Sequence, residues 1–131
     1  MPLGLRNIYA ALTASVEEVT TLAQNNTRLV VKHAVITASA SGNNTIVAAV
    51  TGYRIVLLAY NYMSNGIVNA KWRSNSTDIT GLGYMDAAGR GKVCGYNPKG
   101  WCKTATGEAL NLNLSAAIAV GGEITYVEIL P

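Results

Sequence analysis

Acid–base catalysis is the first chemistry to test against this sequence, because an enzyme needs ionisable groups that converge. The chain has one histidine, and its seven acidic residues are two aspartates and five glutamates. His33 lies in an apolar run typical of a strand, which favours a structural role over that of a general base. Glu17 and Glu18 are adjacent, so their carboxylates point in different directions on a helix or a strand. No Gly-x-Ser-x-Gly motif marks a nucleophilic serine. The sequence therefore predicts a protein that is not an enzyme.

Cys94 and Cys102 are the two cysteines of the chain. They flank a segment whose Asn-Pro and Gly predict a turn. The sequence allows two states of these cysteines, a disulfide that closes this loop or a pair of unlinked thiols. Because thiols stay reduced in the cytosol, the unlinked pair is favoured. Two cysteines and the distant His33 are a poor set of zinc ligands. We therefore expect no metal and no other cofactor.

Residues 89–92 (Gly-Arg-Gly-Lys) have a superficial likeness to a phosphate-binding loop. A Walker loop also needs a glycine five positions before the Gly-Lys pair and a hydroxyl residue after it, where this chain has Asp86 and Val93. We therefore interpret the segment as an exposed basic turn, available to an acidic partner. The remaining basic residues are dispersed and form no run with interleaved aromatics, so we expect no nucleic-acid partner.

The composition implies a surface that is poor in charge. Half of the 131 residues are hydrophobic and only 13% are charged, with a net charge of +3. Free monomers normally carry more charge, so this composition favours a protein that is partly covered by partners. No run approaches the 18 or so apolar residues of a membrane span, and the first residues lack the pattern of a secretory signal. We expect synthesis in the cytoplasm and no membrane partner.

The elements that must carry these residues are short strands. From Leu29 onward, runs rich in Val, Ile, Thr and Tyr alternate with Gly, Asn, Ser and Pro. Residues 110–114 alternate strictly, which points three leucines to one face and two asparagines to the other, solvated one. The predicted strands are residues 29–39, 45–50, 53–63, 67–73, 92–96, 109–114 and 123–130.

Turn residues at positions 41–44, 51–52, 64–66 and 121–122 separate these strands. The short connections predict a hairpin over residues 45–63 that continues into a meander of antiparallel strands. We therefore predict an all-β fold, an antiparallel β-sandwich of jelly-roll type over residues 29–131.

Residues 1–28 are predicted to form a separate N-terminal arm. Leu5, Ile8, Tyr9 and Leu12 recur at helical spacing, which fits a partly helical arm, although the β-branched residues that follow fit a strand equally well. The arm either covers an edge of its own sandwich or docks on a neighbouring subunit, because an edge strand needs cover or a partner.

Aromatic residues offer one further kind of site. Trp72, Trp101 and the seven tyrosines could form a platform that stacks on sugars. The chain has no phenylalanine, so tyrosine and tryptophan must also fill the core. This favours buried or interface rings over a sugar platform.

Three C-terminal segments carry a family resemblance. They are residues 96–101 (Tyr-Asn-Pro-Lys-Gly-Trp), 104–115 (Thr-Ala-Thr-Gly-Glu-Ala-Leu-Asn-Leu-Asn-Leu-Ser) and 121–128 (Gly-Gly-Glu-Ile-Thr-Tyr-Val-Glu). In this order they resemble the C-terminal signature of small virion proteins of tailed bacteriophages. Residues 43–55 are similar to the first hairpin of that family, so the resemblance covers roughly residues 33–131. Cys102 and Lys103 stand where the family pattern has an aromatic and an acidic residue.

The resemblance implies a jelly-roll sandwich, often a trimer, that binds the major capsid protein on the exterior of the virion as a decoration or cement protein. It brings no catalytic residues. A receptor- or carbohydrate-binding module of a tail fibre or head spike is the alternative. The residues expected at the partner interface are of two groups. Those of the arm are Leu5, Ile8, Tyr9 and Leu12, and those of a single loop are Arg90, Lys99 and Trp101.

Overall fold

The computed structural model of the protein describes residues 22–24 and 27–131. Those residues form strands and no helix, so they contain no helix that could cross a membrane. The predicted all-β class is confirmed. The strands are β1 (Leu22–Gln24), β2 (Thr27–Leu29), β3 (Lys32–Ala38), β4 (Gly42–Val47), β5 (Arg54–Ser64), β6 (Val68–Ser74), β7 (Thr77–Asp78), β8 (Gly83–Met85), β9 (Gly91–Cys94), β10 (Cys102–Lys103), β11 (Leu110–Leu114) and β12 (Val120–Ile129).

Two antiparallel sheets pack face to face. In the first sheet β3, β12 and β5 lie side by side, and both β9 and β10 pair with the free edge of β5. In the second sheet the order is β4, β11 and β6, and both β7 and β8 pair with the free edge of β6. From β3 to β12 the chain passes from one sheet to the other at six of nine connections. This strand order is that of a jelly roll, as predicted.

The predicted hairpin over residues 45–63 and its meander are wrong. The turn itself is present, since Gly52 has a φ of +83° and the Tyr53 amide donates to the Val50 carbonyl at 3.1 Å. However, β4 pairs with β11 and β5 pairs with β12, so the turn joins strands of different sheets. The inward side chains of the two strands meet across the core instead of side by side.

Two predicted turns also lie inside strands. Residues 42–44 are the first three residues of β4, and Asn44 pairs there with Leu112. Gly121 and Gly122 lie in β12 and pair with β3 and β5. At Gly122 a Cβ would collide with the carbonyl oxygen of Asn61. This glycine therefore allows close approach of two backbones and does not reverse the chain.

The leucines of β11 form the centre of the core, as their alternation predicted. Leu110, Leu112 and Leu114 are at most 1% exposed. Asn113 on the opposite side is half-buried, but Asn111 is also buried and is not solvated as predicted. The Asn111 amide donates to the Asn75 carbonyl at 2.9 Å, which satisfies part of its side chain.

A second, smaller apolar cluster lies on the outward side of the first sheet. An irregularity in register between β5 and β12 leaves Leu58 as an extra residue in β5. Leu58, Val56 and Val127 are buried there, packed under Leu29 and other partly buried side chains. We call this set the outer cluster.

The hairpin formed by β1 and β2 lies beside the outer cluster, at the end of β12. The side chain of Gln24 forms two hydrogen bonds with the backbone of Leu130, at 2.7 and 2.8 Å. The hairpin spans the predicted boundary between the arm and the sandwich. Residues 1–21, for which the sequence left helix and strand as alternatives, lie outside the described residues.

Candidate functional site

Arg90 lies on the loop of residues 86–90 between β8 and β9. The Arg90 carbonyl accepts a hydrogen bond from the Ser64 amide at 2.8 Å, and the Gly89 amide donates to the Ser64 carbonyl at 2.8 Å. The Arg90 guanidinium pairs with Asp86 over 3.3 Å, and both side chains are exposed. The loop is therefore fixed at its base and presents its charges to solvent.

Lys99 and Trp101 lie on a second loop, residues 95–101, between β9 and β10. Its centre is Asn97, whose amide donates to a backbone carbonyl of β5 at 2.8 Å and whose side-chain oxygen accepts from the Lys99 amide at 3.0 Å. The Trp101 indole N–H donates to the Gly95 carbonyl at 2.8 Å, although the residue is 47% exposed. The loop therefore displays an indole and an ammonium group from a hydrogen-bonded frame.

The predicted contact residues lie on two loops and not on one. The Ser64 amide bonds to the Arg90 carbonyl, whereas the Trp101 amide bonds to the Leu57 carbonyl. These anchor points are seven residues apart on β5, about 24 Å at about 3.4 Å per residue. A partner that contacts both loops must lie along this edge of the sandwich. The other predicted contact residues, Leu5, Ile8, Tyr9 and Leu12, lie outside the described residues.

Three of the large aromatic rings fill the core. The centroid of the Tyr60 ring is 5.5 Å from that of Trp72 and 5.9 Å from that of Tyr62. Trp72 is 1% exposed, so it cannot stack on a ligand. Tyr96 and Trp101 are about half exposed and share the second loop. A sugar platform built on Trp72 is therefore excluded, and the exposed aromatic surface of this region is Tyr96 and Trp101.

Cys94 and Cys102 are free thiols, half-buried on two strands that pair with the same edge of β5. Burial raises the pKa of the Cys102 thiol to about 12, against the lowering effect of Lys92. This thiol is protonated at neutral pH and is a poor nucleophile, because the thiolate is the reactive form.

His33 and Glu123 line an open groove of about 460 Å³ on the outward side of the first sheet. The groove also touches Cys94. His33 Nδ1 lies 3.1 Å from the hydroxyl oxygen of Thr125, and the Asn61 amide donates to Glu123 at 3.4 Å. The imidazole and the carboxylate thus bond to neutral side chains of neighbouring strands. Across residues 22–24 and 27–131, no three side chains of His, Cys, Asp or Glu come together as metal ligands.

In this groove and next to it the first sheet exposes apolar side chains, and Val35 and Val93 are part of the groove lining. Val35 is 72% exposed, Met63 is 59% exposed and Val93 is 81% exposed. The strand register places Val35 opposite Glu123, Glu123 opposite Asn61, and Asn61 opposite Val93. We call the outward surface around these residues the open face.

The open face was missed by sequence reasoning. The available signal was in β3, where Val35 stands between Ala34 and Ile36, so that apolar side chains point to both sides of the strand. A strand with one solvated face alternates apolar and polar residues. The break in alternation therefore indicated an apolar side chain on the outward side of β3.

Comparison with known proteins gives no relative. No family model, no curated protein and no solved structure matches the chain. Function must therefore be argued from the fold, the two loops and the open face.

Proposed function

We propose that the protein is a bacteriophage capsid decoration or cement protein, which binds the outside of the head shell and stabilises it by bridging capsid subunits. The observation that carries the proposal is the strand order of the two sheets, because it is that of the jelly roll implied by the resemblance of residues 33–131. On this proposal the chain is made in the bacterial cytoplasm and resides on the exterior of the virion.

The two loops support the proposal. Loops 86–90 and 95–101 are tied to β5 by backbone hydrogen bonds, so they lose little conformational entropy on binding. They present Arg90, Lys99 and Trp101 along one edge of the sandwich. Arginine and tryptophan are enriched among the residues that dominate protein interfaces.

The physical role follows from the load on a filled head. Packed DNA pushes the shell outward, and a small rigid protein that bridges two capsid subunits adds buried area at their seam. Whatever binds only the assembled shell stabilises it by mass action. Several protomers of one oligomer raise the effective affinity further, so each contact can be modest.

The oligomer belongs to the same proposal. We expect a homotrimer, with a mass in solution three times the 13.8 kDa of one chain. Light scattering on the purified protein measures this mass directly. A monomer at capsid-binding concentrations would remove the multivalent part of the proposal.

Heads from a phage that encodes this chain provide the main test. Heads made with and without the chain are imaged by electron microscopy, then heated or treated with chelator while DNA release is followed. We expect the complete heads to carry the chain externally and to release DNA at a higher temperature, and we expect added purified protein to restore this temperature. If heads made in the presence of the chain show none of it on their exterior, decoration is refuted. If the two kinds of head release DNA at the same temperature, cementing is refuted.

A charge reversal at Lys99 tests whether loop 95–101 contacts the head. Lys99→Glu should weaken head binding at least about tenfold, because a like charge at an interface costs more than the 1.4 kcal/mol that corresponds to tenfold. Lys103→Glu is the matched control, since Lys103 is also exposed but lies on β10 beyond the loop. Equal effects of the two variants would show that general charge matters and the loop does not.

The alternative is a receptor- or carbohydrate-binding module of a tail fibre or head spike. Tyr96 and Trp101 favour it, because both rings are exposed on one hydrogen-bonded loop. Sugar binding there would change the fluorescence of Trp101, and Trp101→Phe would remove the change. Titration with a panel of bacterial surface glycans checks this, and an unchanged spectrum throughout would refute it.

A further inference from the structure

Loop 95–101 has a narrow neck, with a cysteine on each side of it. Cys94 is the last residue of β9, and Cys102 is the first residue of β10. Both short strands pair with the same edge of β5, so the chain leaves this edge at Cys94 and returns to it at Cys102. We call these two positions the neck of the loop.

The strand register sets the width of the neck. Cys94 lies opposite Tyr60, and Cys102 lies opposite Leu57. Because Leu58 is an extra residue in β5, the two positions are only two regular strand steps apart, which is about 7 Å at about 3.4 Å per step. The Cα atoms of a disulfide lie about 4.4–6.8 Å apart, so a shift of about 1 Å in the two-residue strand β10 brings the cysteines within this range.

Both thiols lie on the same side of the first sheet. Each packs against the core between the sheets, as Tyr60 and Leu57 opposite them also do. Their nearness has an electrostatic effect as well. Burial raises the pKa of the Cys102 thiol to about 12 against the effect of Lys92, and Cys94 adds a smaller rise. The two sulfur atoms can therefore bond without a reversal of either strand.

Backbone hydrogen bonds hold the loop close to the neck. The Asn97 amide donates to the Leu58 carbonyl and the Trp101 amide donates to the Leu57 carbonyl, both at 2.8 Å. The folded chain thus keeps the two thiols next to each other. Groups held in this way react with each other far faster than the same groups free in solution.

We propose that Cys94 and Cys102 form a disulfide when the chain leaves the reducing cytoplasm, and that this bond fixes the neck of loop 95–101. The free thiols of the structure are the reduced state of the pair. Thiols stay reduced in the cytosol, whereas disulfides form and persist outside the cell. In the oxidised state Lys99 and Trp101 are presented from a covalently closed loop. The proposal goes beyond the proposed function, because the bond forms without a capsid.

The reaction is thiol–disulfide exchange with a small disulfide such as oxidised glutathione. The Cys94 thiolate attacks one glutathione sulfur, which breaks the glutathione S–S bond and releases one glutathione. The Cys102 thiolate then attacks the Cys94 sulfur of the mixed disulfide and releases the second glutathione. The two cysteine sulfurs give up two electrons to the glutathione disulfide, and their two protons go to the released glutathione thiols. The second step is slow at neutral pH, because little of Cys102 is thiolate there.

Peptide mapping of the full chain tests the bond. The folded protein is incubated with excess oxidised glutathione at pH 8, the remaining thiols are blocked with iodoacetamide, and trypsin is added without a reductant. Trypsin cuts after Lys92, Lys99 and Lys103. We therefore expect peptide 93–99 to be joined to peptide 100–103. The intact mass should be that of one chain less two hydrogen atoms, and the circular dichroism should stay that of the folded protein.

Two serine variants separate the steps. Cys102→Ser should keep glutathione on Cys94, whereas Cys94→Ser should take up glutathione at least about tenfold more slowly. In the unchanged chain the rate of closure should rise about tenfold per pH unit between pH 7 and pH 9, because the pKa of Cys102 is about 12. On oxidation, amide hydrogen exchange in loop 95–101 should slow several-fold.

Three results would overturn the proposal. The first is a mixed disulfide with glutathione that persists in the unchanged chain at pH 8, and the second is a bond between two chains. The third is equal hydrogen exchange in the reduced and oxidised loop, which would show that the bond does not fix the neck. Because the assay contains no capsid, each of these results leaves the decoration role standing.

Discussion

Replacing Leu112 by aspartate should unfold the domain at neutral pH. Leu112 is 0% exposed and lies between Trp72 and Asn44 in the middle of the second sheet. Loss of the buried leucine costs about 2–5 kcal/mol. Keeping the new carboxyl neutral at pH 7 costs about 4 kcal/mol more, given an ordinary pKa near 3.9 and about 1.36 kcal/mol per unit. The sum, about 6–9 kcal/mol, exceeds the stability of domains in the lower part of the usual range of about 5–15 kcal/mol, and this small domain is expected to lie there.

Urea unfolding followed by circular dichroism and by tryptophan fluorescence measures the effect. The matched control is Asn113→Asp, which places the same charge one residue away on the outward side and loses one 2.8 Å hydrogen bond to Asn43. We expect the control to cost about 1 kcal/mol. The buried acid also has a pH signature. Because its folded pKa is raised, Leu112→Asp should be most stable below pH 4 and lose stability as the pH rises. A Leu112→Asp protein that melts normally at pH 7 would refute the assignment of this face to the core.

Three further predictions follow from particular contacts. Gly122→Ala should lower the free energy of unfolding by about 1–3 kcal/mol, because the new Cβ collides with a backbone carbonyl, whereas at Gly121 the nearest atom is 3.8 Å away and Ala should change stability by less than about 1 kcal/mol. Equal melting temperatures would contradict this. Stability should be constant up to about pH 9 and fall towards pH 12, because burial raises the folded pKa of both Tyr62 and Cys102 to about 12, so both groups ionise first in the unfolded chain. Urea titrations across this range check the sign, and rising stability would reverse it. Arg90→Ala should leave folding within about 0.5 kcal/mol, because its ion pair is exposed. A larger loss in calorimetry would mean that the loop supports the fold.

The long strands were predictable because each presents one apolar side to the core. Leu110, Leu112 and Leu114 alternate with asparagine, and this period of two defines both the strand and its buried face. All seven predicted strands are present. The strands of two or three residues were not predicted, because so short a segment carries no periodicity.

Strand neighbours were harder to predict than strands. A glycine such as Gly52 indicates that the chain reverses, but it does not indicate whether the next strand joins the same sheet or the opposite one. Asn44 favours turns by its own propensity, yet here it lies in β4 because β11 pairs with it. Tertiary pairing overrides local propensity at such positions.

The candidate site was only partly predictable. Arg90, Lys99 and Trp101 were identified as loop residues with good reason, because glycine, proline and asparagine surround them. Their division between two loops about 24 Å apart depends on how β9 and β10 pair with β5, which sequence spacing does not encode. The open face was signalled only by the break in alternation at Val35 in β3, and its extent depends on how β12, β5 and β9 pair beside that strand.

The position of β12 has a consequence for folding kinetics. The last strand of the chain lies at the centre of the first sheet, where Tyr126 pairs with Lys32, 94 residues earlier. Contacts between such distant segments are slow to form, so refolding is expected on the timescale of milliseconds to seconds. During translation β5 can pair with β9 and β10 as soon as they are made, but β3 waits as an unpaired strand until the ribosome has made β12. Only then can the sheet close. Nascent chains should therefore depend on chaperones in proportion to the length of that delay.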